Sequence, residues 1–245
     1  MPDTALDFTP AKDYRQRHGL FIAVIGGTNS GKTFSSLRLA SGIAKPQGKR
    51  VAVLDTEGGR TLHLRNHFDF DVRVLEPPHR PERYLDIARS AQERGYGVLV
   101  IDSFSMEWRG PGGKLDWNDE KLAEYVERKR AEAKEKGWRF DEEKTRFAGK
   151  AVASIEPSMS HKMMEMALLG LRMPVIFSIR GGMTYDPDKR ASVFKAQCRQ
   201  DFLFDVTVSF RLAAEKKGII DLSEAAKFKM EGDHAAIFKD GEQLS

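Results

Sequence analysis

Gly26-Gly27-Thr28-Asn29-Ser30-Gly31-Lys32-Thr33 fits the pattern Gly, any four residues, Gly-Lys-Ser/Thr without a mismatch. Before it, Leu20-Phe21-Ile22-Ala23-Val24-Ile25 is an apolar run with the length and branching of a buried strand, and the residues from Thr33 to Ala40 read as a helix. A glycine-rich loop between a strand and a helix aims successive backbone N–H groups and the positive helix end at one point, which suits a phosphate group. The stretch therefore predicts a P-loop. Lys32 is expected to reach the β- and γ-phosphates, and the Thr33 hydroxyl to hold Mg²⁺.

Downstream, Arg50-Val51-Ala52-Val53-Leu54-Asp55 predicts a second buried strand, and Asp55-Thr56-Glu57-Gly58-Gly59 leaves its end. A carboxylate there lies at the carboxyl edge of a parallel sheet, beside the P-loop. Glu57 is the candidate for polarising an attacking water, with Asp55 ordering the loop; a solvated acidic turn is the competing reading. Gly97-Val98-Leu99-Val100-Ile101-Asp102 is a third apolar strand ending in aspartate, a Walker B pattern, and Asp102 is expected to complete the Mg²⁺ site with Thr33. A fourth strand, Arg172 to Arg180, delivers Arg180 to the same edge, either to sense a γ-phosphate or to cap its loop.

Other stretches predict the frame. Asp71 to Glu76 alternates as a strand, and Pro81 opens an amphipathic helix reaching about Arg94. Ser105 to Leu115 reads as a glycine-rich loop, Asp119 to Lys136 as a charged helix, and Ser154 to Leu171 as a helix whose Met159, Met163 and Met166 fill core. Phe202 to Phe210 alternates as a strand, and Gly218 to Leu222 and Ala235 to Phe238 are expected to add edge strands or hairpins. His63 and His67 have a helical spacing of four, but no cysteine cluster or HExxH accompanies them.

Composition sets broader limits. The 245 residues carry a formal charge of +4, are 40% hydrophobic and 31% charged, and include no apolar run of membrane-spanning length and no hydrophobic leader, so a cytoplasmic protein is expected. Cys198 stands alone and reads as a small, partly buried residue. Residues 1–19 are expected to form an arm and residues 20–245 a single domain with a charged helical insertion at about 105–152. That insertion, with its Lys/Arg excess and Trp108, Trp117 and Trp138, has two readings: a mobile DNA-binding region, or a solvated helix held down by its tryptophans.

With an acidic residue after the second strand and Walker B later, the chain resembles the RecA/RadA group, and more closely the short phage-encoded RecA-like nucleotide-binding ATPases. The resemblance rests on the P-loop, on Asp55 to Gly59, on Asp102-Ser103-Phe104-Ser105-Met106-Glu107-Trp108, on Phe177 to Arg180 and on an Arg199 to Phe210 hairpin. It implies an α/β, mostly parallel, doubly wound sheet with a C-terminal antiparallel extension. It also implies hydrolysis of ATP with Mg²⁺ by a homo-oligomer, with Glu57 as base and single-stranded DNA as partner in phage recombination or replication. The setting would then be the host cytoplasm, beside phage or host DNA-processing proteins. Two other functions fit a P-loop: a nucleotide kinase, with Arg180 to Arg199 as its lid, and a non-enzymatic, ATP-dependent assembly switch.

Overall fold

The computed structural model describes residues 19–188, 190–223, 228–230 and 232–244; the N-terminal arm expected at residues 1–19 therefore lies, apart from Gly19, outside the described residues. Six strands run parallel: β1 (Phe21–Gly26), β2 (Val51–Asp55), β3 (Phe70–Val74), β4 (Val98–Asp102), β5 (Val175–Asp186) and β7 (Val208–Leu212), in the spatial order β3-β2-β4-β5-β1-β7. The short β8 (Ile220–Asp221) adds an antiparallel edge beside β7, and β6 (Ala191–Ala196) folds back antiparallel on the outer half of β5. The α/β architecture expected from the sequence is thus present in its P-loop, its mostly parallel sheet and its antiparallel additions.

Alternation within the strands makes two cores. Ala23, Ile25, Leu54, Ile101, Phe177 and Ile179 face Tyr84 and Ala88 of helix α2 (Pro81–Glu93) and Met164 and Leu168 of helix α6 (Ile155–Leu169). Their neighbours Ile22, Val24, Val53, Val100 and Ile176 face Leu37 and Ala40 of helix α1 (Lys32–Ala44) on the other side. Both faces of the sheet are covered, which is why its strands read as unbroken apolar runs.

Between β4 and β5 the chain makes four helices: α3 (Ser105–Arg109), α4 (Lys114–Glu135), α5 (Glu142–Ala153) and α6. Several sequence expectations change here. The glycine-rich loop at 105–115 is mostly helix; Gly110 and Gly113 serve a tight turn in which an added Cβ would strike the Met106 and Glu107 carbonyls. Met159, Met163 and Met166 are exposed, and only Met164 fills core. Phe202 to Asp205 is a helical turn, α7, because Phe202 and Leu203 are both buried and alternation is lost; β7 begins only at Val208. The hairpin that follows Arg180 is β5–β6, not one starting at Arg199, and residues 233–237 form a short helix, α8, instead of an edge strand. Among the described residues no helix is long and apolar enough to cross a membrane.

A buried ionic cluster ties α3 to α6. Glu107 Oε1 lies 2.9 Å from His161 Nδ1, Glu165 Oε1 lies 2.9 Å from His161 Nε2, and Arg199 Nε is 3.0 Å from Glu165 Oε2. The Nδ1 contact is a hydrogen bond, whereas Nε2 and Glu165 form a close ion pair whose angles make no hydrogen bond. Burial pulls the imidazolium down, but the Glu107 hydrogen bond and the charges of the two carboxylates outweigh it and hold His161 at about 9. Burial raises Glu107 despite the pull of His161.

A histidine whose folded pKa is raised contributes stability that is fully present below its unfolded value of 6.5 and is lost as pH rises through about 9. The protein should therefore lose roughly 3 kcal/mol of unfolding free energy between about pH 6 and pH 9, whereas His161→Gln, less stable at neutral pH, should be nearly flat across that window. Denaturant melts at intervals of pH measure this; parallel curves for parent and variant would show that the cluster does not titrate.

Candidate functional site

Parallel pairing levels the strand ends. Asp55 sits opposite Asp102, Asp102 opposite Ser178, and Gly26 opposite Arg180, so three loops leave one edge of the sheet side by side. Within the P-loop, Asn29 and Gly31 take left-handed backbone (φ 62° and 86°). A Cβ on Gly26 would stand 2.4 Å from Ser30 Oγ, and one on Gly31 would stand 2.9 Å from the Gly218 amide, so both glycines are sterically required. Lys32 Nζ donates to the Gly27 carbonyl at 2.7 Å. Burial lowers the Lys32 pKa, and Asp102 and Glu57 pull it back up.

Thr33 Oγ1 donates to Asp102 Oδ2 at 2.6 Å, which joins the first turn of α1 to the end of β4. Burial raises Asp102, and its polar neighbours Ser178 and Thr33 oppose that rise. A hydroxyl and a buried carboxylate in contact at the base of an anion-binding loop match the oxygen donors that Mg²⁺ takes, so the residues present fit that ion. His63 and His67 do not: among the described residues no cluster of His, Cys, Asp or Glu is suited to a metal ion.

Asp55 is fully buried and works as a clamp. Its Oδ1 accepts from the amides of Glu57 (2.8 Å) and Gly59 (3.1 Å), and its Oδ2 from the Thr61 amide (2.8 Å) and hydroxyl (2.6 Å). The loop so fixed presents Glu57 to the P-loop. Its neighbour Thr56 accepts from the Ser103 amide and donates to the Ser103 carbonyl, each at 2.8 Å, which ties this loop to the one after β4.

Glu57 is not free in the cleft. Arg180 Nε and Nη2 reach its Oε1 at 2.9 and 2.8 Å, and Arg60 Nη1 reaches its Oε2 at 2.7 Å. Ser105 Oγ accepts from the Arg180 amide at 2.9 Å, and the Arg180 carbonyl accepts from the Gln197 amide at 2.7 Å, so the arginine is anchored where β5 becomes a hairpin.

Gly26, Gly27, Thr28, Asn29, Gly31, Lys32 and Thr33 of the P-loop line one cleft together with Glu57, Asp102 and Arg180. Its volume of about 540 Å³ is within the range of small-molecule sites. The sequence reading missed Phe34, Arg60, Leu64, Gln197 and Lys217, which share that lining. Arg60 lay three residues from Glu57 and was legible as a helical-spaced partner; Lys217 was not, because it arrives from beyond β7, where the Gly218 amide donates to the Ser30 carbonyl at 2.8 Å.

Part of the basic excess expected around the insertion is paired within the chain. Lys121 pairs with Glu124 and Glu156, Lys129 and Lys136 with Glu132, and Arg130 with Glu127 and Glu142. Trp108 packs on His161 beneath Lys114, and Trp117 lies beneath Arg80, so only Trp138 stands out into solvent. Cys198 is buried, and burial pushes its thiol up to about 12, which leaves it unreactive.

No protein-family model matches the chain, and no curated protein matches it either. Among known structures it is similar to a KaiC-like protein from the hyperthermophilic archaeon Pyrococcus horikoshii OT3, at 16% identity, over 79% of this chain and 71% of that one, with a TM-score of 0.41.

Proposed function

We propose that the chain is a RecA-like ATPase that hydrolyses ATP with Mg²⁺, on the strength of one observation: Lys32, the Thr33–Asp102 pair and Glu57 line a single cleft at the mouth of the P-loop. Gly26 to Thr33 hold the triphosphate through backbone amides and Lys32. Thr33 and Asp102 would hold Mg²⁺, which supplies neutralising charge for the β- and γ-phosphate oxygens. Glu57 orients a water on the γ-phosphorus and takes its proton as the new P–O bond forms and the bond to the β-phosphate oxygen breaks. Arg180, now on Glu57, is placed to transfer to the γ-phosphate, where it stabilises charge and leaves the carboxylate able to accept a proton.

The sequence resemblance supports phage DNA recombination or replication as the setting, with single-stranded DNA as partner and neighbouring subunits contributing basic residues. The β5–β6 hairpin is the best-placed surface for DNA. It grows directly from Arg180 and exposes Met183, Tyr185 and Lys195. The kinase reading would have the same cleft pass phosphate to a nucleoside monophosphate instead of water.

Glu57→Gln should keep ATP binding and slow hydrolysis by roughly a hundredfold or more, and Lys32→Ala should lose binding by at least about tenfold. Phosphate release and nucleotide fluorescence measure both; hydrolysis at the parent rate by Glu57→Gln sinks the assignment, and phosphate appearing on a nucleoside monophosphate establishes the kinase. Arg180→Ala should reduce the preference for ATP over ADP by about tenfold, since only the triphosphate offers its guanidinium a ligand. Tyr185→Ala should weaken retention of a labelled single strand by about tenfold in the presence of ATP. Unchanged anisotropy titrations would remove the hairpin from the DNA-binding surface.

A further inference from the structure

The turn between β7 and β8 is built onto the P-loop. The Gly218 amide donates to the Ser30 carbonyl at 2.8 Å, and a Cβ on Gly31 would stand 2.9 Å from that same nitrogen. Gly218 itself has φ 77°, and a Cβ there would stand 2.8 Å from Ser35 Oγ and 2.7 Å from Gln243 Nε2, so only glycine lets the turn come this close to α1. Residues 241–244 brace it: the Leu244 amide donates to the Gly218 carbonyl and the Ile220 amide to the Glu242 carbonyl, each at 2.9 Å. Leu244 is buried in the same core as Phe210 and Ile220. The residue delivered by this fixed backbone is Lys217, which is exposed and lines the cleft at the mouth of the P-loop.

Of the four cations around the cleft, three are already engaged. Lys32 Nζ donates to the Gly27 carbonyl, and Arg60 and Arg180 hold Glu57. Lys217 has no hydrogen bond or ion pair among the described residues. Set against the carboxylates of Glu57 and Asp102, the four cations leave a formal surplus of two positive charges, and without Lys217 the surplus is one. A triphosphate with its Mg²⁺ carries about two negative charges at neutral pH, so Lys217 is the cation that balances the site. Its place decides which phosphates it meets. Glu57, Asp102 and Arg180 reach the P-loop from the β2, β4 and β5 side of β1, and Lys217 from the β7 side. With Glu57 at the γ-phosphate, a cation on the other flank, against Gly31 and the first turn of α1, meets the α- and β-phosphates.

We propose that Lys217 is a nucleotide-binding residue that grips the α- and β-phosphates held by the P-loop of its own chain. The inference rests on the reading of the cleft as a nucleotide site. It separates two kinds of contact there: Arg180 answers to the γ-phosphate alone, whereas Lys217 answers to groups that ATP and ADP share.

Nucleotide titrations of the full chain with Mg²⁺ test it, read by the fluorescence of a labelled ADP and its displacement by ATP. Lys217→Ala should weaken ATP and ADP by about tenfold each and leave their ratio at the parent's, while Lys217→Arg should keep both within about threefold. The parent's affinity should fall more steeply with added salt than that of Lys217→Ala. Lys216→Ala removes a charge from the same turn but not from the cleft lining, and it should bind like the parent. Because the side chain is exposed, Lys217→Ala should melt at the parent temperature in the absence of nucleotide. Parent affinity in Lys217→Ala overturns the proposal, as does a loss that Lys216→Ala matches, one that falls on ATP alone, or an unchanged salt slope. If Lys217→Ala binds as the parent does while Lys32→Ala fails, the nucleotide cleft stands and Lys217 alone is withdrawn; a parent that binds no nucleotide removes both.

Discussion

The register of the central parallel strands is the constraint on which the rest of the molecule depends. With β5 between β1 and β4, Gly26, Asp55, Asp102 and Arg180 are brought to one level at the carboxyl edge. A slip of one residue in any pair would turn its side chains to the wrong face and remove a polar group from the edge. Two buried cores forbid that slip, because each strand residue belongs to one side or the other. The Thr33–Asp102 hydrogen bond is the visible product of this levelling: it spans the width of β5 and fixes the start of α1 against the end of β4.

Around this edge the polar side chains divide into those that build loops and those turned to the cleft. Asp55 accepts four hydrogen bonds and has no capacity left for substrate, so its work is to shape the turn that carries Glu57. Thr56 and Ser103 lock that turn to the loop after β4. The side chains of Glu57 and Arg180, by contrast, are held among the described residues only by each other and by Arg60, and Arg180 keeps 43% of its side chain exposed. A contact between partly exposed charges is weak compared with a guanidinium's grip on a phosphate, and this difference lets a triphosphate redistribute the cleft's charges while the loops stay fixed.

The parts of the fold that were legible in the sequence are those where one local pattern had one physical meaning. Four apolar strands ending at Gly26, Asp55, Asp102 and Arg180 could only be buried on both faces, and the P-loop spacing left little choice of geometry. The hairpin beyond Arg180 was illegible because its glycines and exposed polar residues carry no burial signal; β5 continues there on backbone pairing with β6. Phe202 to Phe210 misled for the opposite reason: alternating aromatics suggest a strand, but Phe202 and Leu203 are adjacent and both buried, which a helical turn accommodates. Gln197 reaches the cleft through the return of the β5–β6 hairpin, and Lys217 through the return of the chain past β7, and neither path leaves a mark in spacing.

Helix α6 shows where periodicity itself runs out. Helical spacing of Met159, Met163 and Met166 establishes that they share a face and is silent about whether that face looks in or out. Hydrophobicity would turn it inward, yet the inward positions are taken by Met164 and Leu168 together with His161 and Glu165, whose partners Glu107 and Arg199 come from segments far apart in the chain. Breaking that cluster to turn the methionines inward would leave buried charges without partners, a penalty larger than the gain from covering a few thioethers. The cluster therefore decides the helix's rotation, and the apolar stripe is outward as its consequence. Charge buried in one side of a helix can in this way create an apolar surface on the other.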